Sequence, residues 1–123
     1  MFLGLMAVIM LAIISPCVAQ QRYGVMFYNV ENLFDTINNA GVADEDMLPK
    51  ADRAWTEERY QRKLNGVARV IADLSDEGGF PAIVALAEVE NRRVLDDLVS
   101  QKEIANAQYS VCHYDSPDER GID

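Results

Sequence analysis

The sequence predicts an α/β fold, and three observations carry the prediction. Two short apolar runs, residues 23–28 and 82–87, have the composition of buried strands. A stretch with helical periodicity, residues 60–74, lies between them. Each run stops abruptly at oxygen-bearing side chains, Asn29 and Glu31 after the first and Glu88, Glu90 and Asn91 after the second. A strand–helix–strand crossover is right-handed in nearly all proteins, so the two strands are parallel and their C-terminal ends open on one edge. Open α/β sheets place ligands at that edge. Asn29 and Glu88 are therefore expected to meet in space although 59 positions separate them.

Taken in order, residues 1–19 read as a signal peptide. Phe2 to Ser15 is almost unbroken apolar sequence, and Pro16-Cys17-Val18-Ala19 supplies small residues before Gln20. The expected destination is secreted or periplasmic. A basic start is missing, and a membrane anchor is the alternative, since 19 residues is near the minimum for a span. Residues 20–123 then form a single domain. After the first strand, residues 32–49 have no useful period and collect Asp35, Asp44, Glu45 and Asp46, as a long surface loop does.

Trp55-Thr56-Glu57-Glu58 is a helix start. Thr56 can cap, the two acids suit the first turn, and Trp55 and Tyr60 have the spacing of a hydrophobic staple. Tyr60, Leu64, Val67, Ile71 and Leu74 form the inward stripe, and Ser75-Asp76-Glu77-Gly78-Gly79 ends the helix. Pro81 opens the second strand, whose continuous apolar run suits a strand covered on both faces. Arg92–Val99 reads as a second helix with Val94, Leu95 and Leu98 inward. Residues 109–114 read as a third strand with Cys112 buried, Asp115-Ser116-Pro117-Asp118 as a turn, and Arg120-Gly121-Ile122-Asp123 as the start of a further strand.

Composition narrows the function. Half the 123 residues are apolar and a quarter charged, which is a globular balance. The net charge of -9 falls wholly after position 21 and disfavours non-specific nucleic-acid binding, which needs Lys and Arg at phosphates. Cys17 leaves with the signal, so no disulfide forms within residues 20–123. At the strand ends, Glu88 is a carboxylate beside the Asn29 carboxamide, with Glu31 and Glu90 near. A hard cation such as Mg²⁺ takes one or two carboxylates plus water and substrate phosphate, and an Asn amide can donate to a phosphate oxygen. Together these groups suit metal-assisted phosphoester hydrolysis. The plainer reading of the same acids is helix capping and loop solvation.

The motif wording is more specific. Tyr28-Asn29-Val30-Glu31-Asn32-Leu33-Phe34-Asp35, then Trp55-Thr56 with Tyr60 to Lys63, then Leu86-Ala87-Glu88-Val89-Glu90-Asn91, resemble the endonuclease/exonuclease/phosphatase family of deoxyribonuclease-like hydrolases. His113-Tyr114-Asp115-Ser116-Pro117-Asp118 with Arg120-Gly121-Ile122-Asp123 resembles the segment leading into that family's next strand. The resemblance implies that residues 20–123 are the N-terminal part of a four-layered α/β sandwich, two central sheets flanked by helices. It implies hydrolysis of a phosphoester substrate (nucleic acid, lipid headgroup or small phosphodiester) with Mg²⁺ or Mn²⁺. By position, Asn29 resembles the catalytic Asn that orients the phosphate, Glu88 the metal-binding Glu, and Glu31 a second metal contact. Arg120 falls where substrate-contacting residues occur.

Two departures qualify the resemblance. Ala87 stands where the family commonly has Gln. The later motifs, an Asp-x-Asn pair, a mid-chain His and a terminal Asp-His, have no counterpart here, and His113 matches no catalytic position and reads as structural or surface. The chain is therefore expected to be an incomplete fragment without turnover of its own, with no obligate protein partner and no stable membrane insertion after signal cleavage. The alternative from another class is a secreted, non-catalytic α/β binding module that keeps the fold.

Overall fold

The computed structural model describes residues 22–123, so the expected signal segment lies outside the described residues. Two parallel strands, β1 (Val25–Leu33) and β2 (Ile83–Val89), form a two-stranded sheet, and two helices, α1 (Glu57–Asp73) and α2 (Arg92–Val99), pack on it. The α/β class and the parallel pairing of the two strands are as expected. Register runs from Val25 opposite Ile83 to Asn29 opposite Ala87, then resumes at Leu33 opposite Val89. Four steps of β1 thus span two of β2, a bulge centred on Glu31 and Asn32. Both bulge residues are left-handed, with φ of 55° and 61°. The first strand therefore runs past Asn29, where the sequence suggested a stop: the bulge turns the backbone outward and Leu33 then re-enters the core.

The first helix forms as its caps dictate. The Thr56 hydroxyl accepts from the Arg59 N–H, and Trp55 and Tyr60 are both buried. Trp55 also donates its indole N–H to the Phe34 carbonyl at 3.0 Å, pinning the end of β1 to the helix start. Leu64, Val67, Ala68 and Ile71 are buried against Met26, Val30 and Leu33 from the strand and Val94 and Leu98 from α2. Leu74 is exposed, because it falls at the C-cap, where the chain leaves the core. The second helix is capped by Asn91, whose side-chain oxygen accepts from Val94 N–H at 3.0 Å. The Tyr60 hydroxyl donates to Asp97 at 2.8 Å and joins the helices; burial, then Asp97, pushes its pKa well above the ordinary tyrosine value.

Four expectations are corrected. Residues 109–114 form no strand: a cleft of about 540 Å³ separates them from β2, so no ladder closes and Cys112 is exposed. The second strand is not covered on both faces among the described residues. Val25 and Phe27 are more than 70% exposed, and Ile83, opposite Val25, is 58% exposed. The 32–49 loop is not simply solvated, since Asp35 and Asp44 are buried and Glu45–Met47 forms a short 3-10 turn. Residues 120–123 form no strand either, although Asp123 and Val89 exchange backbone hydrogen bonds at 2.9 and 3.1 Å.

Candidate active site

The parallel ladder and the bulge place one residue of each strand face to face. Asn29 donates its amide N–H to Glu88 Oε1 at 2.9 Å, so the pair expected from the sequence is formed. The other amide atom, Asn29 Oδ1, accepts from the Glu31 N–H at 2.8 Å and closes a local turn that starts the bulge. The bulge in turn points the Asn32 N–H at Glu88 Oε2, 3.0 Å away. Glu88 itself is left-handed, with φ of 65°. Three non-glycine residues in this conformation at one strand edge mark a site whose shape is held against local preference.

Lys63 supports the arrangement from below. Its ammonium donates to the Glu31 and Asn32 carbonyls, the two residues of the bulge. Burial lowers its pKa, while the charges of Glu31 and Glu88 work the other way. Nothing in the sequence singles out Lys63 for this task, because its partners are main-chain carbonyls of a bulge that only the fold creates. Glu31, read as a second metal contact, brings its backbone to the site while its side chain is exposed. Arg120 is held by Asp118 through two side-chain hydrogen bonds at 3.0 and 2.9 Å. That pairing raises the Arg120 pKa, and the Glu88 charge adds to the effect. Arg120 thus lies within electrostatic reach of Glu88, although the two make no direct contact.

Two further carboxylate groupings flank the pair. Behind it, Glu90 is buried, accepting from Asp35 N–H at 2.7 Å and from the Asn39 amide. Burial, reinforced by the charges of Asp35 and Asp44, pushes its pKa up to about 7. Asp35 accepts from Ile37 N–H and the Asn91 amide, and Asp44 from Asn39 N–H, leaving Asp44 Oδ1 buried without a partner. On the far side of β2, His113 Nε2 lies 2.7 Å from Asp123 Oδ2, and Asp115 comes within 3.8 Å of Nδ1. Among the described residues this is the one set of three side chains close enough to share a metal ion. Burial opposes the Asp123 charge, but hydrogen bonds from Ser116 and His113 hold its carboxyl below the usual range. Through Asp123, which accepts from the Ser116 amide, His113 is tied into the closure of the 113–123 segment on itself.

The wording of the motifs and the geometry agree with one comparison. The profile of the endonuclease/exonuclease/phosphatase family matches residues 24–123, which includes Asn29, Glu88 and Arg120. No curated protein and no solved structure matches the chain. The match covers well over half of the sequence, so the chain belongs to the endonuclease/exonuclease/phosphatase family, whose members are phosphoester hydrolases.

Proposed function

We propose that the chain is the N-terminal part of a divalent-metal-dependent phosphoesterase, of nuclease or phosphodiesterase type, in which Glu88 holds Mg²⁺ or Mn²⁺. The observation that carries this reading is the Asn29–Glu88 hydrogen bond at the C-terminal edge of parallel strands. The donor set fits such an ion. Each Glu88 oxygen accepts a single hydrogen bond, one from Asn29 and one from Asn32, and so keeps a lone pair for a cation. One carboxylate is enough for Mg²⁺, which fills its remaining positions with water and substrate phosphate. When bound there, the ion would offset negative charge on the phosphoryl oxygens. Glu31, exposed at the same edge, is the second contact.

The chain's own residues do the rest of the positioning. Asn29 has a second amide hydrogen that can donate to a phosphate oxygen, and Asn32 N–H keeps the Glu88 carboxylate from rotating. In this reading Arg120, whose guanidinium is paired with Asp118, contacts the substrate's phosphoryl oxygens. The sequence contains no Asp-x-Asn or Asp-His. We therefore propose that these 123 residues bind metal without turning substrate over. The same fact favours the second reading, a non-catalytic binding module. The uncovered apolar face of Val25, Phe27 and Ile83 supports a second sheet above it, as in a four-layered sandwich. We also propose a secreted or periplasmic location, from the apolar run of residues 2–15 and the small residues before Gln20.

The test is Mn²⁺ binding to the purified chain, followed by electron paramagnetic resonance, with Glu88→Gln as the variant. The carboxylate reading expects at least about tenfold weaker binding in the variant, or about 1.4 kcal/mol. Circular dichroism checks that the variant folds. Equal affinity in both proteins would sink the metal assignment. Metal-dependent hydrolysis of bis-p-nitrophenyl phosphate above a no-protein control would overturn the proposal that the site is incomplete.

A further inference from the structure

We propose that a basic cleft beside Glu88 is a subsite for a second phosphoryl group of the substrate, held by Arg53, Arg59 and Lys63. The cleft, about 400 Å³, is walled by these three cations with Trp55, Glu31 and Asn32. In a chain with 11 basic residues and a net charge of -9, three cations converging on one cleft call for an anionic occupant. Their own pairing does not supply one. Among the described residues Arg53, Arg59 and Lys63 have no carboxylate within salt-bridge distance, as is also true of Arg22, Lys50, Arg69 and Arg93, but these three alone line one cleft together.

The cations are fixed by neutral groups instead. Arg59 donates through one nitrogen to the carbonyls of Arg53 and Ala54, the latter at 3.2 Å. Lys63 donates to the Glu31 and Asn32 carbonyls. Both sit over the Trp55 ring, at 5.4 and 5.7 Å from its centre, and Arg53 has only the Met47 sulfur, 3.9 Å away. Carbonyls, a ring face and a thioether orient positive charge without neutralising it, Lys63 also feeling the charges of Glu31 and Glu88, and they leave guanidinium and ammonium hydrogens for a ligand. Ala54 is held at φ 46°, a conformation that side-chain-bearing residues rarely adopt, at the carbonyl that meets Arg59. Strain of this kind gathers where a binding surface must be shaped.

A tetrahedral phosphoryl group fits this donor set. It carries one to two negative charges and matches the guanidinium fork. The cleft also abuts the reacting edge, because Asn32 offers its N–H to Glu88 and its carbonyl to Lys63. A phosphate in the cleft would then neighbour a phosphate at Glu88 across Asn32. The substrate class is a molecule with two neighbouring phosphoryl groups, from either a nucleotide chain or a polyphosphorylated polyol. That second-phosphate role rests on the Glu88 reading, whereas the binding of phosphate by the cleft does not.

The experiment separates the two. Inorganic phosphate is titrated into the full 123-residue chain without metal, by calorimetry at low and high salt. Saturable binding that weakens with salt, and weakens at least tenfold in R53Q/R59Q, is expected. Absence of binding up to about 50 mM, where even millimolar affinity is visible, would overturn the subsite, as would unchanged affinity in the double variant. Should that variant unfold, Arg59→Lys keeps the charge but loses the fork, and a several-fold loss is expected; no loss overturns the proposal. With Mn²⁺ added, thymidine 3′,5′-bisphosphate and inositol 1,4-bisphosphate are compared with their monophosphates. Tighter binding of either bisphosphate supports the second-phosphate role and identifies its source. No gain from either, with phosphate binding intact, refutes that role alone.

Discussion

Replacing Glu90 by Gln should make the protein more stable at pH 8 and remove a slope in its pH–stability profile. Glu90 is 5% exposed and its pKa is raised from 4.5 to about 7, with burial the largest cause. The native state thus holds this proton more tightly than the unfolded chain does. The resulting stability is complete below about pH 4.5 and is lost as pH rises through about 7. A shift of this size corresponds to about 3 kcal/mol at 1.36 kcal/mol per pH unit. Gln cannot ionise and lacks the slope. It also has one acceptor oxygen where Glu90 uses two, for Asp35 N–H and the Asn39 amide. The Asn39 amide would have to turn over and give up its bond to the Ile37 carbonyl, a loss of about 1 kcal/mol. The variant should therefore gain roughly 2 kcal/mol at pH 8 and fall below wild type near pH 4.5. Urea unfolding of both proteins in metal-free buffer at several pH values measures this, the difference between them cancelling all other titrations. A difference that stays constant with pH, or moves the other way, would refute the claim that burial makes the native state hold the Glu90 proton.

Two further substitutions test the frame around the site. Asn91→Ala removes the cap on Val94 N–H and the amide that faces buried Asp35, and should cost about 2 kcal/mol in urea unfolding; a change below 0.5 kcal/mol would show that the cap is idle. Leu64→Ala empties a fully buried position between α1 and the sheet and should cost about 3–4 kcal/mol. A much smaller loss in thermal melts would mean that this core is loosely packed.

What the sequence revealed and what it hid differ in kind. Both helices and the Thr56 cap were legible, because Thr56 acts on backbone three residues ahead and the inward stripe repeats locally, whereas Asn91 stood out as a strand-end polar residue and its capping of Val94 was not read. The meeting of Asn29 with Glu88 was legible too, since parallel strands and a right-handed crossover leave one geometry. The bulge was hidden: Glu31 and Asn32 look like the first residues of a loop, and only the return of Leu33 to the ladder makes them part of a strand. Buried Asp35 and Asp44 were hidden for the same reason, as their solvating N–H groups belong to residues 37 and 39 in a turn that composition does not announce. Residues 109–114 show the reverse error. Their alternation suits a strand, but a ladder needs a neighbour at hydrogen-bonding distance, and β2 lies across a cleft.

The Asn29–Glu88 pair also sets when the site can exist during folding. Helix α1 closes through local contacts and can form on its own within microseconds. The pair joins residues 59 positions apart, so it appears only after the intervening loop has closed and its entropy cost has been met by the β1–β2 ladder. No partly folded chain that lacks this ladder presents the carboxylate and the amide together. An ion held at Glu88 would then recognise the native state alone and draw the folding equilibrium toward it in proportion to its concentration.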